Sequence, residues 1–202
     1  MKKKQSLNSF VVADSTRCIG CRICEIACSQ VHSQGNRPLT VGSMMSPIQP
    51  RLHLVRYHEA YVPVQCRHCE DAPCANVCQV EAISQRDGVI FVDEEKCMGC
   101  KTCMLACPFG AMELVPLFRN GHAVMQHLSL CEDDCSISGL HNRYKQRLVA
   151  NKCDLCIGEE QPACVLNCPQ QALQLVVPRE HRAHRMQAAA LSLAAVGRNY
   201  SV

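Results

Sequence analysis

The chain of 202 residues has no tryptophan, four phenylalanines and four tyrosines. So little aromatic area excludes a core built on large rings. It also argues against single-stranded nucleic acid as a partner, since bases are held by stacking on aromatic side chains. The charge balance agrees: 21 Lys+Arg against 18 Asp+Glu leave a net charge of +3, too mild for a basic footprint. No apolar run is long enough to span a bilayer; the most apolar tail stretch, AAALSLAAV at 188–196, is too short. The start, MKKKQSLNSFVVAD, is basic but has no apolar stretch before Asp14 and no twin-arginine pair. No secretory leader is therefore expected, and the expected compartment is the cytoplasm. There is also no phosphate loop, dinucleotide fingerprint or nucleophile motif, so no catalytic residue is assigned.

What the chain has is cysteine, 18 of them. Cysteine this dense means either a disulfide-stapled secreted domain or metal ligands, and a reducing cytoplasm selects the second. Sixteen fall into four quartets. The first is Cys18, Cys21, Cys24 and Cys28, in CIGCRICEIAC. The second is Cys66, Cys69, Cys74 and Cys78, in CRHCEDAPCANVC. The third is Cys97, Cys100, Cys103 and Cys107, in CMGCKTCMLACP. The fourth is Cys153, Cys156, Cys164 and Cys168, in CDLCIGEEQPACVLNCP.

Quartets one and three have the bacterial ferredoxin spacing C-x-x-C-x-x-C-x-x-x-C; quartets two and four lengthen the gap before the third cysteine. A short loop can curl round a cubane and offer three thiolates, while the fourth cysteine serves the other cluster of a pair. Pro108 and Pro169 follow the last cysteine and end the turn, because proline cannot continue a helix. Zinc ribbons pair two C-x-x-C knuckles across a longer gap and do not use this spacing. Four quartets therefore predict two cluster pairs, four [4Fe-4S] clusters in all.

An internal repeat supports the pairing. DSTRCIGCRICEIAC at 14–28 aligns with DEEKCMGCKTCMLAC at 93–107, each preceded by a β-type run, FVVAD and VIFVD. A second echo places Ala82-Ile83, Ala111-Met112 and Ala172-Leu173 just beyond three of the quartets; quartet one has His32-Ser33 there instead. The pattern reads as strand, cluster loop, short helix, strand, with a tight turn at RDGV 86–89. Gly20 and Gly99 serve turns or a close approach of backbone to a cluster. The fold class is α+β: two ferredoxin-like halves of two clusters each, with long irregular loops and inserts. Residues 10–178 form the four-cluster domain, with quartets one and four interleaved around two and three. Inserts lie at 33–64 and 113–150, and 179–202 is a tail that could form an amphipathic, partner-docking helix.

With these motifs in this order, the chain resembles the four-cluster, ferredoxin-type electron-transfer subunits of anaerobic oxidoreductases. These include the iron–sulfur subunits of formate hydrogenlyase and hydrogenases and the β-subunits of molybdopterin enzymes such as dimethyl sulfoxide reductase. The resemblance covers roughly residues 10–178 and implies which cysteines share a cluster. Cys18, Cys21 and Cys24 would join Cys168; Cys153, Cys156 and Cys164 would join Cys28. Cys66, Cys69 and Cys74 would join Cys107; Cys97, Cys100 and Cys103 would join Cys78. Gln79 and Ser29 depart from the family pattern, standing where proline follows the last cysteine. The implied role is an electron relay between a catalytic subunit of formate dehydrogenase or hydrogenase type and another redox partner. The near alternative is a β-subunit of a molybdopterin respiratory reductase. Any membrane attachment would come through a partner.

Arg22, Arg67, Lys101 and Lys152 lie in or beside the loops; each could raise a nearby cluster's potential or be a solvated surface charge. His68 could ligate in principle, but a full quartet surrounds it. Cys131 and Cys135, in CEDDC, read as unligated thiols, although His127 and His141 make a zinc site imaginable. A zinc-binding assembly or regulatory protein is the alternative of another class.

Overall fold

The first β-type run pairs with the last one across the chain. β1 (Phe10–Ala13) lies before quartet one, and its antiparallel partner follows quartet four at Leu173–Val176, with Val11 opposite Leu175. The computed structural model describes residues 7–33, 47–127 and 144–198. After β1 come α1 (Ile23–His32), β2 (Leu52–Tyr57), β3 (Ala60–Gln65), α2 (Pro73–Asn76), β4 (Ile83–Arg86), β5 (Val89–Val92) and α3 (Thr102–Ala106). Then come β6 (Glu113–Pro116), β7 (Phe118–Arg119), β8 (His122–Ala123), β9 (Met125–His127), β10 (Tyr144–Gln146) and β11 (Leu148–Asn151). The chain closes with α4 (Ala163–Leu166), β12 (Leu173–Val176) and α5 (Pro178–Arg198).

The architecture is a mixture of short helices and two-stranded sheets, as the α+β class requires. The sheets are β1–β12, β2–β3, β4–β5, β6–β11, β7–β8 and β9–β10, all antiparallel. α1 packs on α4, and α2 on α3. The expected turn at 86–89 joins β4 to β5 through Asp87 and Gly88, at φ 49 and φ 78. Two positive φ values in a two-residue loop match the right-handed twist of the strands, which is why Asp-Gly serves there. The second echo is structural: Ile83 starts β4 and Leu173 starts β12, both buried.

Strands form within the described parts of both inserts. Residues 33–64 carry the hairpin β2–β3, where Pro63 lies opposite Leu54. A two-stranded ribbon is all edge, so a residue with no N–H to donate costs little there. The 113–150 insert carries six strands, β6 to β11. The tail forms a helix as far as Arg198, with Met186, Leu191 and Leu193 exposed. Its sequence gathers no single apolar face, against the amphipathic pattern expected, because AAALSLAAV puts apolar residues at nearly every helical angle. Cys131, Cys135 and His141 lie outside the described residues.

Candidate metal centre

Each cluster loop turns by left-handed backbone. In quartet one Gly20 and Arg22 have φ 75 and φ 61; in quartet three Gly99 and Lys101 have φ 69 and φ 71. The loop curls over three cysteines and releases the chain into α1 or α3 with the third cysteine on the first turn. Both glycines are in tight places, though against protein: a Cβ on Gly20 would lie 2.8 Å from the Tyr61 ring. One on Gly99 would lie 2.6 Å from the Leu148 carbonyl oxygen.

The folded chain sorts the sixteen cysteines into groups of four. Cys18, Cys21, Cys24 and Cys168 line one cavity, walled by Leu54, Pro63 and Leu173. Cys66, Cys69, Cys74 and Cys107 line a second, with Ile90, Phe109 and Lys152. Cys97, Cys100, Cys103 and Cys78 line a third, with Leu114 and Ala150. Cys28, Cys153, Cys156 and Cys164 are all buried and close enough for Cys164 to feel the other three electrostatically. In every group three cysteines come from one quartet and the fourth from another. Cys21 and Cys100 are exposed, so the first and third groups reach the surface.

Without metal these buried thiols hold their protons tightly. Burial pushes Cys24, Cys74 and Cys156 up to about 11 and Cys153 to about 12, and Cys164 is raised further, with neighbouring sulfurs adding to it. Four such sulfurs become thiolates only when a cation shares the space. Backbone N–H groups already aim at several sulfurs. Ala172 donates to Cys168 at 3.2 Å, Arg51 to Cys28 and Ala150 to Cys97 at 3.3 Å, and Leu155 to Cys153 at 3.4 Å. Such bonds stabilise negative charge on a ligating sulfur. Cys100 is the exception: the Thr102 hydroxyl and backbone lower its thiol pKa.

His68 is 1 % exposed, and its Nδ1 accepts a hydrogen bond from the Ile90 N–H at 3.1 Å. Burial, with Lys152 nearby, lowers its pKa to about 3, so the ring is neutral and its proton sits on Nε2. Among the described residues that N–H has no acceptor, and His68 is not among the residues that line the cavity of its own quartet.

Of the four candidate cations, Arg22 and Lys101 are exposed, and Arg22 pairs with Glu25. Arg67 is half-buried and donates to the Val11 carbonyl. Lys152 is 3 % exposed. One polar cluster escaped the sequence reading. Asp154 takes Arg51 at 2.5 Å and His32 at 2.9 Å, and accepts the Cys156 N–H at 3.0 Å. Burial alone would raise the Asp154 carboxyl; these partners hold it well below the usual range. Burial would lower the His32 imidazole, but Asp154 and Cys28 carry it to about 9. The one available signal was local: His32 stands where quartet one breaks the echo.

A profile of the 4Fe-4S dicluster domain matches residues 57–136. Electron transport protein HydN of Escherichia coli (strain K12) is 42% identical over 172 residues, covering 83% of this chain and 87% of that one. Formate hydrogenlyase subunit 2 of the same strain is 43% identical over 176 residues, covering 84% and 82%. The chain belongs to the 4Fe-4S electron transport protein family. The resemblance read from the motifs holds, and the 4Fe-4S domain match supports iron–sulfur clusters in this family member. Among the described residues no helix is long and apolar enough to cross a membrane.

Proposed function

We propose that this protein relays single electrons through four [4Fe-4S] clusters held in two ferredoxin-like halves. The grouping of sixteen cysteines into fours, each with one member exchanged between quartets, carries the reading. Cys18, Cys21, Cys24 and Cys168 would hold one cluster, and Cys28, Cys153, Cys156 and Cys164 its neighbour. Cys66, Cys69, Cys74 and Cys107 would hold the third, and Cys78, Cys97, Cys100 and Cys103 the fourth. When bound, these clusters supply reversible one-electron chemistry. The chain would fix their spacing, bury the group of Cys28, Cys153, Cys156 and Cys164 and donate N–H bonds to the ligating sulfurs.

Cys21 and Cys100 put the first and last groups at the surface, where electrons would enter and leave. The partners proposed are a catalytic oxidoreductase subunit, of molybdopterin formate dehydrogenase or hydrogenase type, and a second redox protein. α5, exposed along its described side chains, is the segment proposed to dock. The working place would be the cytoplasm, at a membrane only through a partner. Anaerobic purification with iron, acid-labile sulfide and zinc assays tests the reading. About sixteen iron and sixteen sulfide per chain, with a brown colour bleached by dithionite, is the expected result. A colourless chain with stoichiometric zinc and no sulfide would overturn it in favour of a zinc-binding assembly or regulatory protein.

A further inference from the structure

Two of the buried polar side chains carry a full charge, Lys152 and Asp154. Lys152 is the residue on which the chain crosses from one group of cysteines to another. Behind it, β11 pairs with β6, and its Ala150 N–H serves Cys97. Ahead of it is Cys153, buried beside Cys28. Its own side chain lines the cavity of Cys66, Cys69, Cys74 and Cys107. The Lys152 ammonium donates to two carbonyls, that of Ile90 and, at 2.7 Å, that of Cys153. None of the ion pairs among the described residues involves it. Asp154, two residues on, is taken by Arg51 and His32.

A buried ammonium without a carboxylate is costly unless negative charge faces it. Carbonyl oxygens solvate it but do not neutralise it. The imidazole of His68, in the loop of that same cavity, is neutral and adds no charge. What remains to balance Lys152 is the cysteine groups on its two sides, each anionic once loaded.

We propose that Lys152 is the positioning charge of the central electron step, lying between the inner cysteine groups and stabilising the electron on either side of it. This rests on the four-cluster reading. No bond forms or breaks. With clusters bound at the two inner sites, one electron would pass from one cluster, which is oxidised, to the other, which is reduced, and Lys152 would contribute only its fixed charge. A fixed positive charge raises the midpoint potential of both inner centres, because reduction adds negative charge. The outer groups, at Cys21 and Cys100, keep their potentials because solvent screens them from Lys152.

The test is an EPR-monitored redox titration of the anaerobically purified full chain, wild type against Lys152→Gln. Glutamine keeps N–H donors for the two carbonyls and removes the charge. Iron and sulfide are assayed first on wild type; a wild-type chain without about sixteen of each overturns the four-cluster reading itself. With loading established, the expected result is at least a tenfold loss in the reduction equilibrium of one or two centres. That is about 59 mV downward per tenfold, with the other centres unmoved and Lys152→Arg restoring the wild-type values. Unmoved midpoints in a fully loaded Lys152→Gln protein overturn the proposal, and so does an equal shift of all centres. If neither Lys152→Gln nor Lys152→Met retains iron, Lys152→Arg decides. Retention by arginine shows that the charge is what the inner centres need; equal loss with arginine shows a shape requirement and overturns the proposal.

Discussion

The region around quartets one and four and the region around quartets two and three are built differently for the same purpose. Around quartets two and three the core is aliphatic: Ile83, Ile90, Met112, Leu117 and Val149 are buried together with Cys74, Cys97 and Cys103. Around quartets one and four the aliphatic content falls to Val11, Leu52 and Leu173, and cysteines make up most of the rest. That region holds instead the ion cluster of Arg51, Asp154 and His32, with side-chain exposures of only 18%, 12% and 12%. Where apolar area is scarce, a polar clamp joins α1, the strand entry at Arg51 and the loop of quartet four. Ion pairs in such places are poor sources of net stability but are expensive to break, because the survivor is a buried uncompensated charge.

The largest expected effect comes from that asymmetry. Asp154→Ala leaves His32 without its carboxylate and Arg51 with Glu94 alone, at 3.6 Å, and should cost about 3 kcal/mol. The damage should stay on one side: iron analysis should show loss of about half the clusters, since Asp154 follows Cys153, accepts the Cys156 N–H and holds His32 and Arg51, which both bond to Cys28. Denaturation midpoints and iron content of the purified variant check this. Loss of all iron would mean that the two regions do not load independently.

A smaller effect separates the two copies of the repeat. Gly20 and Gly99 have the same left-handed backbone but different neighbours. Alanine costs about 1 to 2 kcal/mol at either from its positive φ. At Gly99 the added carbon meets a backbone carbonyl held in the β6–β11 sheet, so Gly99→Ala should total about 2 to 4 kcal/mol. At Gly20 the obstacle is the Tyr61 ring, which can turn aside. Chemical denaturation of both variants should rank Gly99→Ala as the more damaged.

The aliphatic region gives a smaller effect again. Ile83→Val removes one methylene from a residue 5% exposed and should cost about 1 kcal/mol. A thermal scan of the loaded protein measures it. A null result would mean that the cysteines, rather than the aliphatics, dominate this core as well.

The repeat spacing alone picked out the sixteen cysteines that the fold gathers into fours, the branched and aromatic runs FVVAD and VIFVD located β1 and β5, and RDGV located the β4–β5 turn. The local signals there are strong: cysteine spacing for a loop and Asp-Gly for a turn. The hairpin β2–β3 stayed hidden within the 33–64 insert, because Pro63 argues against a strand and only pairing as an isolated ribbon makes it harmless. The Arg51–Asp154–His32 cluster was also invisible, since 103 residues separate Arg51 from Asp154 and 122 separate His32 from it. Contacts at that separation leave no periodic trace. Lys152 stood in the sequence as one of four comparable cations; only burial separates it from Arg22 and Lys101.

The smallest effect tests the repeat at the atoms of a single sulfur. Cys21-Arg22-Ile23 and Cys100-Lys101-Thr102 occupy the same place in the two loops, and both cysteines are exposed. Only the second loop offers a hydroxyl: Thr102 Oγ1 donates to Cys100 Sγ at 3.5 Å and lowers the thiol pKa. Thiolate is the reactive form, so Thr102→Val should slow alkylation of Cys100 in metal-free protein by about two- to fivefold. Cys21, whose loop has Ile23 at that position, is the internal reference. Mass-spectrometric labelling of the two cysteines in one sample reads the ratio directly. The loaded protein should respond in the same sense, since a hydroxyl hydrogen bond to a ligating sulfur stabilises the reduced centre. An unchanged labelling ratio would mean that backbone geometry, which the two loops share, governs these sulfurs and that the Thr102 hydroxyl contributes nothing.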